Sequence, residues 1–238
     1  MLEVEGLTAG YGPRQIVVRD VSFSIEPGVI TAMLGPNGAG KTTTLLTVAG
    51  ELRPYGGGIR LDGEDVGRLR SHQRMKSGLV LVPQERNLFP GLSVDDHITL
   101  AGHTVRRRDG ASAVKQRIGE AFTLFPALDD KRHARAGSLS GGQQQQLAIA
   151  RALISGPQYL LLDEPLGLDP LTTQQIMRSL RTLAAAGMGV LLVEQQAAAA
   201  LDIAEDVLVL QGGAIRARST AAELRSDRKL LDIYLGGA

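Results

Sequence analysis

Cysteine is absent from the 238 residues, which excludes a disulfide framework and any cysteine-ligated metal site and fits a reducing compartment. Long apolar runs are absent too: stretches such as residues 159–162 and 189–193 fall far short of the roughly 20 residues that a membrane helix needs. Neither sign of charge is in excess. With 26 Lys and Arg against 25 Asp and Glu the net charge is +1, so the chain as a whole is neither a polyanion binder nor the carrier of an acidic tail. The opening Met1-Leu2-Glu3-Val4-Glu5 is acidic and reads as a strand rather than a secretory leader, which predicts a cytoplasmic protein whose membrane association runs through partners. Aromatic residues are scarce, four Tyr and four Phe. Length and hydrophobic content nevertheless suit one large α/β domain, or a core with a smaller subdomain, with an ample buried centre.

The densest signal is Gly35-Pro36-Asn37-Gly38-Ala39-Gly40-Lys41-Thr42-Thr43, which fits G-x-x-x-x-G-K-[ST]. An apolar run at 29–34 precedes it and a segment free of helix breakers, 42–49, comes after, so strand, loop and helix are predicted in that order. Gly35, Gly38 and Gly40 are expected to adopt backbone conformations closed to other residues, turning successive N–H groups onto phosphate oxygens at the positive end of the helix. Lys41 supplies charge for the β- and γ-phosphates, and the Thr42 hydroxyl is placed for Mg²⁺. The stretch reads as a nucleoside triphosphate loop; the plain alternative is a glycine-rich turn between a strand and a helix.

Around this loop, residues 2–7 read as a strand broken at Gly10-Tyr11-Gly12-Pro13, and 17–25 as a second strand. Tyr11, set between glycines, is either an outward-facing ring or turn packing. Gly56-Gly57-Gly58 reads as a connection into a strand at 59–61. The apolar run 78–82 ends at Pro83, and Gln84-Glu85-Arg86-Asn87 comes next, where open α/β sheets place ligand-facing groups; a solvated loop is the other reading of Gln84. From 93 to 157 the pattern turns helical. Ser93 and Asp96 are spaced as a capping box, 111–124 carries apolar residues at helical intervals, and Arg106-Arg107-Arg108 reads as a solvated connection. The predicted organisation is a single domain, 1–238, with a helical part at 86–157 inserted into a core formed by 1–85 and 158–238.

A second phosphate-binding signal is Leu139-Ser140-Gly141-Gly142-Gln143, where Ser140 is a good N-cap and two glycines at a helix N-terminus make an anion-binding nest; an ordinary cap is the alternative. Glutamines 143–146 are expected to form the exposed first turn of a helix whose apolar rhythm continues through Leu147, Ala150, Leu153 and Ile154. Next comes Tyr159-Leu160-Leu161-Leu162-Asp163-Glu164-Pro165, a buried strand with two carboxylates at its C-terminal end. Asp163 is expected to hold the Mg²⁺ hydration shell opposite Thr42, and Glu164 to polarise an attacking water as general base. Simple turn capping is the alternative for Asp163.

These elements, with Leu139–Gln143 the most specific, resemble in order and spacing the nucleotide-binding subunit of an ATP-binding cassette (ABC) transporter, over nearly the whole chain. The resemblance implies a P-loop α/β fold with a mixed sheet core, an N-terminal antiparallel β part and an inserted helical subdomain. It implies that Tyr11 stacks on adenine and that Gln84 reaches Mg²⁺ and the water and senses the membrane subunits. It further implies that Ser140, Gly141 and Gly142, with Gln143, contact the γ-phosphate of ATP held by a second copy in a head-to-tail dimer. Val82-Pro83-Gln84 with Phe89-Pro90, Val193-Glu194-Gln195-Gln196 and the ending Tyr234-Leu235-Gly236-Gly237 resemble ATPases of branched-chain amino acid importers, a group with relatives for urea and short amides; lipopolysaccharide-export ATPases share the ending. The implied partners are a second ATPase subunit, membrane permease subunits and, indirectly, a substrate-binding protein, with no nucleic acid, at the cytoplasmic face of the inner membrane.

Two departures from the family pattern bear on mechanism. Gln195 stands where most members carry a switch histidine; the importer branch commonly has Gln there, and Gln still donates a hydrogen bond but carries no proton through pH 7. A helix cap is the other reading of Gln195. After Asp-Glu-Pro only Leu166-Gly167 precede Leu168-Asp169-Pro170, one residue fewer than usual, and Gly167 is placed to absorb the strain. Two rival functions remain: a cassette that dimerises on ATP with weak turnover, suggested by the short loop, and a soluble ABC ATPase acting on nucleic acid, which neither the length nor the charge favours.

Overall fold

The computed structural model describes residues 1–226, so the Tyr234-Leu235-Gly236-Gly237 ending lies outside the described residues. In chain order the first elements are β1 (Leu2–Gly12), β2 (Gln15–Ile25), β3 (Ile30–Leu34), α1 (Lys41–Ala49), β4 (Gly56–Leu61), β5 (Glu64–Asp65), α2 (Ser71–Lys76) and β6 (Leu79–Val82). A helical stretch comes next, with α3 (Val94–Leu124), α4 (Pro126–Asp129), a 3-10 turn at Ala136–Ser138 and α5 (Gly141–Ile154). The chain then returns to the sheet with β7 (Tyr159–Asp163), α6 (Pro170–Ala185), β8 (Gly189–Glu194), α7 (Ala197–Ile203), β9 (Asp206–Gln211), β10 (Ala214–Thr220) and α8 (Ala221–Ser226).

Two sheets result, and the apolar pattern explains the division. The first is antiparallel, order β2-β1-β4-β5, with one face buried, as the alternation in Leu2, Val4, Phe23 and Ile59 requires. The second has the order β10-β9-β3-β8-β7-β6; its five strands from β9 to β6 are parallel, and β10 closes the edge antiparallel. Every residue of β3, β7 and β8 is buried, as befits central parallel strands covered on both faces. Met33, Leu161, Leu191 and Val193 face α1 and the antiparallel sheet in one core. Their neighbours Ala32, Leu34, Leu160, Leu162, Val190 and Leu192 face the other core, shared with α3, α5, α6 and α7.

The structure corrects several local expectations. β1 continues through Gly10-Tyr11-Gly12 because its ladder with β2 persists to the Gly12–Gln15 pair, and Gly56-Gly57-Gly58 belongs to β4 rather than to a connection. Arg106, Arg107 and Arg108 lie within α3, ahead of its interruption at Gly110 (φ 82°, ψ 158°), and Arg108 reaches the carbonyls of Lys76 and Ser155. The glutamines of α5 are not an exposed turn: Gln145 and Gln146 are 2% and 3% exposed, because α5 is packed on more than its apolar side. The capping box at Ser93/Asp96 is present as predicted, and Thr220 and Glu223, whose sequence spacing reads as a capping box for a late helix, bond in the same reciprocal way. Sequence periodicity missed α2 and β10.

Candidate active site

Strands β6, β7, β8 and β3 run parallel and adjacent, so the loops leaving their C-terminal ends gather at one edge of the sheet. The loop from β3 to α1 carries Lys41, β7 ends in Asp163 and Glu164, β8 ends in Glu194 before Gln195, and Gln84 comes after β6. Lys41, 5% exposed, donates to the carbonyls of Gly35 (2.8 Å) and Pro36 (3.2 Å), and its amine lies 3.6 Å from the Glu164 carboxylate. Gln84 Nε2 donates to the other oxygen of Glu164 at 3.0 Å. Thr42 Oγ1 donates to Asp163 Oδ1 at 3.3 Å. Thr43 Oγ1 donates to the hydroxyl of Tyr11, whose ring is 56% exposed beside the loop. The residues singled out from sequence as Lys41, Thr42, Gln84, Asp163 and Glu164 are thus brought into one cluster.

The three glycines act for two different reasons. Gly38 (φ 76°) and Gly40 (φ 103°) take left-handed conformations, as expected. Gly35 does not; its requirement is space, since a Cβ there would lie 2.2 Å from the Leu210 carbonyl oxygen. Gly40 is also the N-cap of α1 and makes no side-chain cap, so the first-turn N–H groups of α1 are offered to an anion.

The shortened loop after β7 is tied at several points. Glu164 itself adopts φ 48° and donates its N–H to the Val193 carbonyl at 2.9 Å, so the left-handed turn falls on the carboxylate residue and not on Gly167. Leu166 N–H donates to the buried Glu194 carboxylate at 2.8 Å, Leu168 N–H to the Leu166 carbonyl, and Asp169 caps α6 by accepting from Thr172 N–H. Burial raises the Asp163 carboxyl above its ordinary range, with neighbouring Glu164 adding to the rise and the Thr42 hydroxyl opposing it. Burial likewise pushes Glu194 up to about 7, against the bond from Leu166 N–H.

Gln195 is exposed and its side chain has no hydrogen bond among the described residues; the N-cap of α7 is Gln196, so the cap reading of Gln195 fails. Ser140 caps α5 reciprocally with Gln143, and Lys131 Nζ donates to Gln143 Oε1 at 3.1 Å. Among the described hydrogen bonds none joins residues 139–143 to residues 35–43. Sequence reasoning passed over Glu194 and Arg86. A single acid ending the apolar run of β8 was the available signal for the first, and an arginine two residues beyond Gln84 for the second.

Asp163 is 3% exposed, with its described side-chain bond coming from Thr42, and such a hydroxyl–carboxylate pair beside a phosphate loop offers the hard oxygen donors that suit Mg²⁺. Among the described residues no helix is long and apolar enough to cross a membrane.

Comparison with known proteins agrees with this geometry. Residues 18–167 match the family described as ABC transporter. The chain is 39% identical, over the full length of both proteins, to the high-affinity branched-chain amino acid transport ATP-binding protein BraG of Pseudomonas aeruginosa. It is 35% identical to the lipopolysaccharide export system ATP-binding protein LptB of Escherichia coli K12, over 99% of this chain and 97% of that one. The dimeric structure of MJ0796, a bacterial ABC transporter cassette, superposes with a TM-score of 0.81 at 26% identity, covering 93% of this chain and 99% of that one. A family match over more than half the chain, with relatives that align along nearly their whole length, makes this protein a member of the ABC transporter family, an ATP-binding cassette that hydrolyses ATP to power transport.

Proposed function

We propose that the chain is the ATPase subunit of an importer for branched-chain amino acids, working as a head-to-tail dimer beneath membrane permease subunits at the cytoplasmic face of the membrane. The observation that carries the cargo is the 39% identity to BraG along the entire length of both chains. The 35% identity to LptB supports a second reading, lipopolysaccharide export. Gln195 in place of the histidine usual in the family favours the importer, as does the Val193-Glu194-Gln195-Gln196 string.

Catalysis comes from positioning. Lys41 exchanges the Gly35 and Pro36 carbonyls for phosphate oxygens when a triphosphate enters, and this exchange draws its charge off Glu164. Glu164, oriented by the Gln84 amide, then accepts a proton from the water attacking in line. Tyr11 stacks on the base, and the backbone of residues 35–43 cradles the phosphates. Mg²⁺, when bound, neutralises charge on the β- and γ-phosphates; Thr42, Asp163 and Gln84 would hold it. Ser140, Gly141, Gly142 and Gln143 serve the nucleotide of the second copy; among the described hydrogen bonds none joins them to the phosphate loop of their own chain. A groove of about 310 Å³ lined by Met75, Leu81, Phe89, His97, Leu100 and Ala101 exposes Phe89 and Leu100, and it is where a permease helix docks.

Complementation separates the two cargo readings. Expressed in Pseudomonas aeruginosa lacking BraG, the chain is expected to restore leucine uptake, and in Escherichia coli depleted of LptB it is expected not to restore growth. Rescue of the LptB-depleted cells without leucine uptake would overturn the importer assignment in favour of export.

A further inference from the structure

A cavity of about 970 Å³ is walled on one side by residues 50–58, from the end of α1 into β4, and on the other by residues between Asp65 and Arg74, from β5 into α2. None of Lys41, Thr42, Gln84, Asp163 and Glu164 lines it. Its size is that of a small-molecule site.

The charge around it is lopsided. Arg53, Arg68, Arg70, His72 and Arg74 line the cavity against two acids, Glu51 and Asp65. Among the described residues the arginines held in ion pairs are Arg60, Arg108, Arg117 and Arg132, so the exposed guanidinium groups of Arg53, Arg68 and Arg70 are uncompensated. Asp65 accepts the Gly67 N–H at 2.8 Å, and neither it nor Glu51 forms an ion pair among the described residues. Arg74 is 1% exposed and directs its donors to backbone carbonyls, which fixes a fourth positive charge in the wall with no carboxylate bonded to it. Concave walls that carry one sign of charge concentrate the opposite ion.

The backbone opposite is equally bare. β5 pairs with β4 only at Arg60 and Leu61, so the edge of β4 that faces away from β1 has no strand partner over Gly56-Gly57-Gly58. A Cβ at Gly58 would meet nothing within 4 Å, and Gly57 takes φ 90°, a conformation that suits glycine. Open main chain therefore faces the cavity, and its polar groups need partners. Three residues of free edge are too few for an added strand, whose usual length is about 5–6 residues. Tyr55 in the same wall is half-exposed and offers a ring surface to whatever organic group accompanies the charge.

We propose that this cavity binds a small molecule carrying more than one phosphate group, gripped by Arg53, Arg68 and Arg70 beside the open edge of β4. A guanidinium fork meets phosphate oxygens two at a time, and three uncompensated forks call for an anion of more than one charge. The site goes beyond the transport reading and stands whichever cargo the cassette serves. Phosphate of this kind comes either from a soluble phosphorylated compound or from a lipid headgroup.

Calorimetric titration of inorganic pyrophosphate into the full-length chain, with the phosphate loop saturated by Mg-ADP, tests the site and the soluble source together. The wild type is expected to bind one pyrophosphate, more weakly as salt rises. Arg53→Ala, Arg68→Ala and Arg70→Ala combined should weaken that binding at least about tenfold, with Mg-ADP affinity and ATPase activity within about twofold of the wild type. The three corresponding Lys substitutions should recover only part of it, since charge returns without the fork. Sedimentation with phosphatidylglycerol vesicles, but not with phosphatidylcholine vesicles, that the triple Ala variant loses would support the site and assign it to a lipid headgroup. Wild-type chain that binds neither pyrophosphate nor phosphatidylglycerol overturns the proposal, as does a triple Ala variant that binds them undiminished. Hexaglutamate bound more tightly than pyrophosphate overturns it in favour of an acidic protein segment.

Discussion

Glu164 is where the chemistry and the backbone meet. Its left-handed conformation turns the chain sharply after β7 and leaves its carboxylate bracketed by the Gln84 amide and the Lys41 amine. Replacing it by Gln is expected to lower steady-state phosphate release by about 10²- to 10⁴-fold while ATP binding persists, as measured by a coupled phosphate assay beside nucleotide titration. Gly at the same position would relax the turn but discard the base, and its ATPase activity should match that of the Gln variant. Glu194 gives a second residue-scale prediction, this time in pH. Its ordinary value is 4.5 and burial in the fold raises it to about 7, so the native state holds the proton more tightly than the unfolded chain. Its contribution to stability is fully present below about 4.5 and is lost as pH rises through about 7. In the nucleotide-free protein the melting temperature therefore contains a component that falls across that window, and Glu194→Gln should remove it. Coincident pH profiles for the two proteins would show that the shift is absent in solution.

Between elements, Arg74 ties the end of α1 to α2 and the loop before it. Fully buried on α2, it donates to the Thr47 and Val48 carbonyls at the end of α1 and to the Leu69 and Gly67 carbonyls of the loop before α2. Burial lowers its guanidinium to about 10, partly offset by Asp65, so it stays charged at neutral pH. Arg74→Met fills much of the same space but leaves those carbonyls unpaired, and urea unfolding should report a loss of about 3 kcal/mol. Lys should not restore it, because one ammonium cannot span four carbonyls. This tie illustrates what the sequence could and could not disclose. The apolar runs announced β3, β7 and β8, and Ser93/Asp96, Ser140 and Thr220/Glu223 announced their helix starts, because those signals are local. Gln145 reads from sequence as part of an exposed turn and Arg74 carries no local signal, since the burial of each depends on partners distant in sequence. The seven residues of β10 hold Arg216, Arg218, Ser219 and Thr220 and so form no apolar run, and the six-residue α2 lacked the length that makes a period visible.

At the scale of the whole molecule, the site is distributed. Lys41, Thr42, Gln84, Asp163 and Glu164 gather because four adjacent parallel strands end together, and these residues were legible from motifs alone. For Leu139–Gln143 the service to a second copy is an expectation carried by the family resemblance alone, since spacing along the chain does not say which copy a motif serves. The dimer reading has a direct measurement: light scattering at saturating Mg-ATP should find Glu164→Gln as a stable dimer and the wild type turning over between dimer and monomer. If both stay monomeric while binding ATP, the working dimer requires a different ATPase subunit.

The position of β3 in the interior of the parallel sheet has one more consequence, for synthesis. Its neighbours are β8, which begins at Gly189, and β9, which begins at Asp206, although β3 itself is complete at Leu34. At roughly 5–20 residues per second, the ribosome needs on the order of ten to thirty seconds to supply the first of those partners. For that interval the strand bearing the phosphate loop has neither edge paired, and the nascent chain presents an apolar segment to whatever chaperone surrounds the exit tunnel. Chains arrested before β8 should therefore be protease-sensitive at residues 30–43, and chains arrested after β9 has emerged should be protected there.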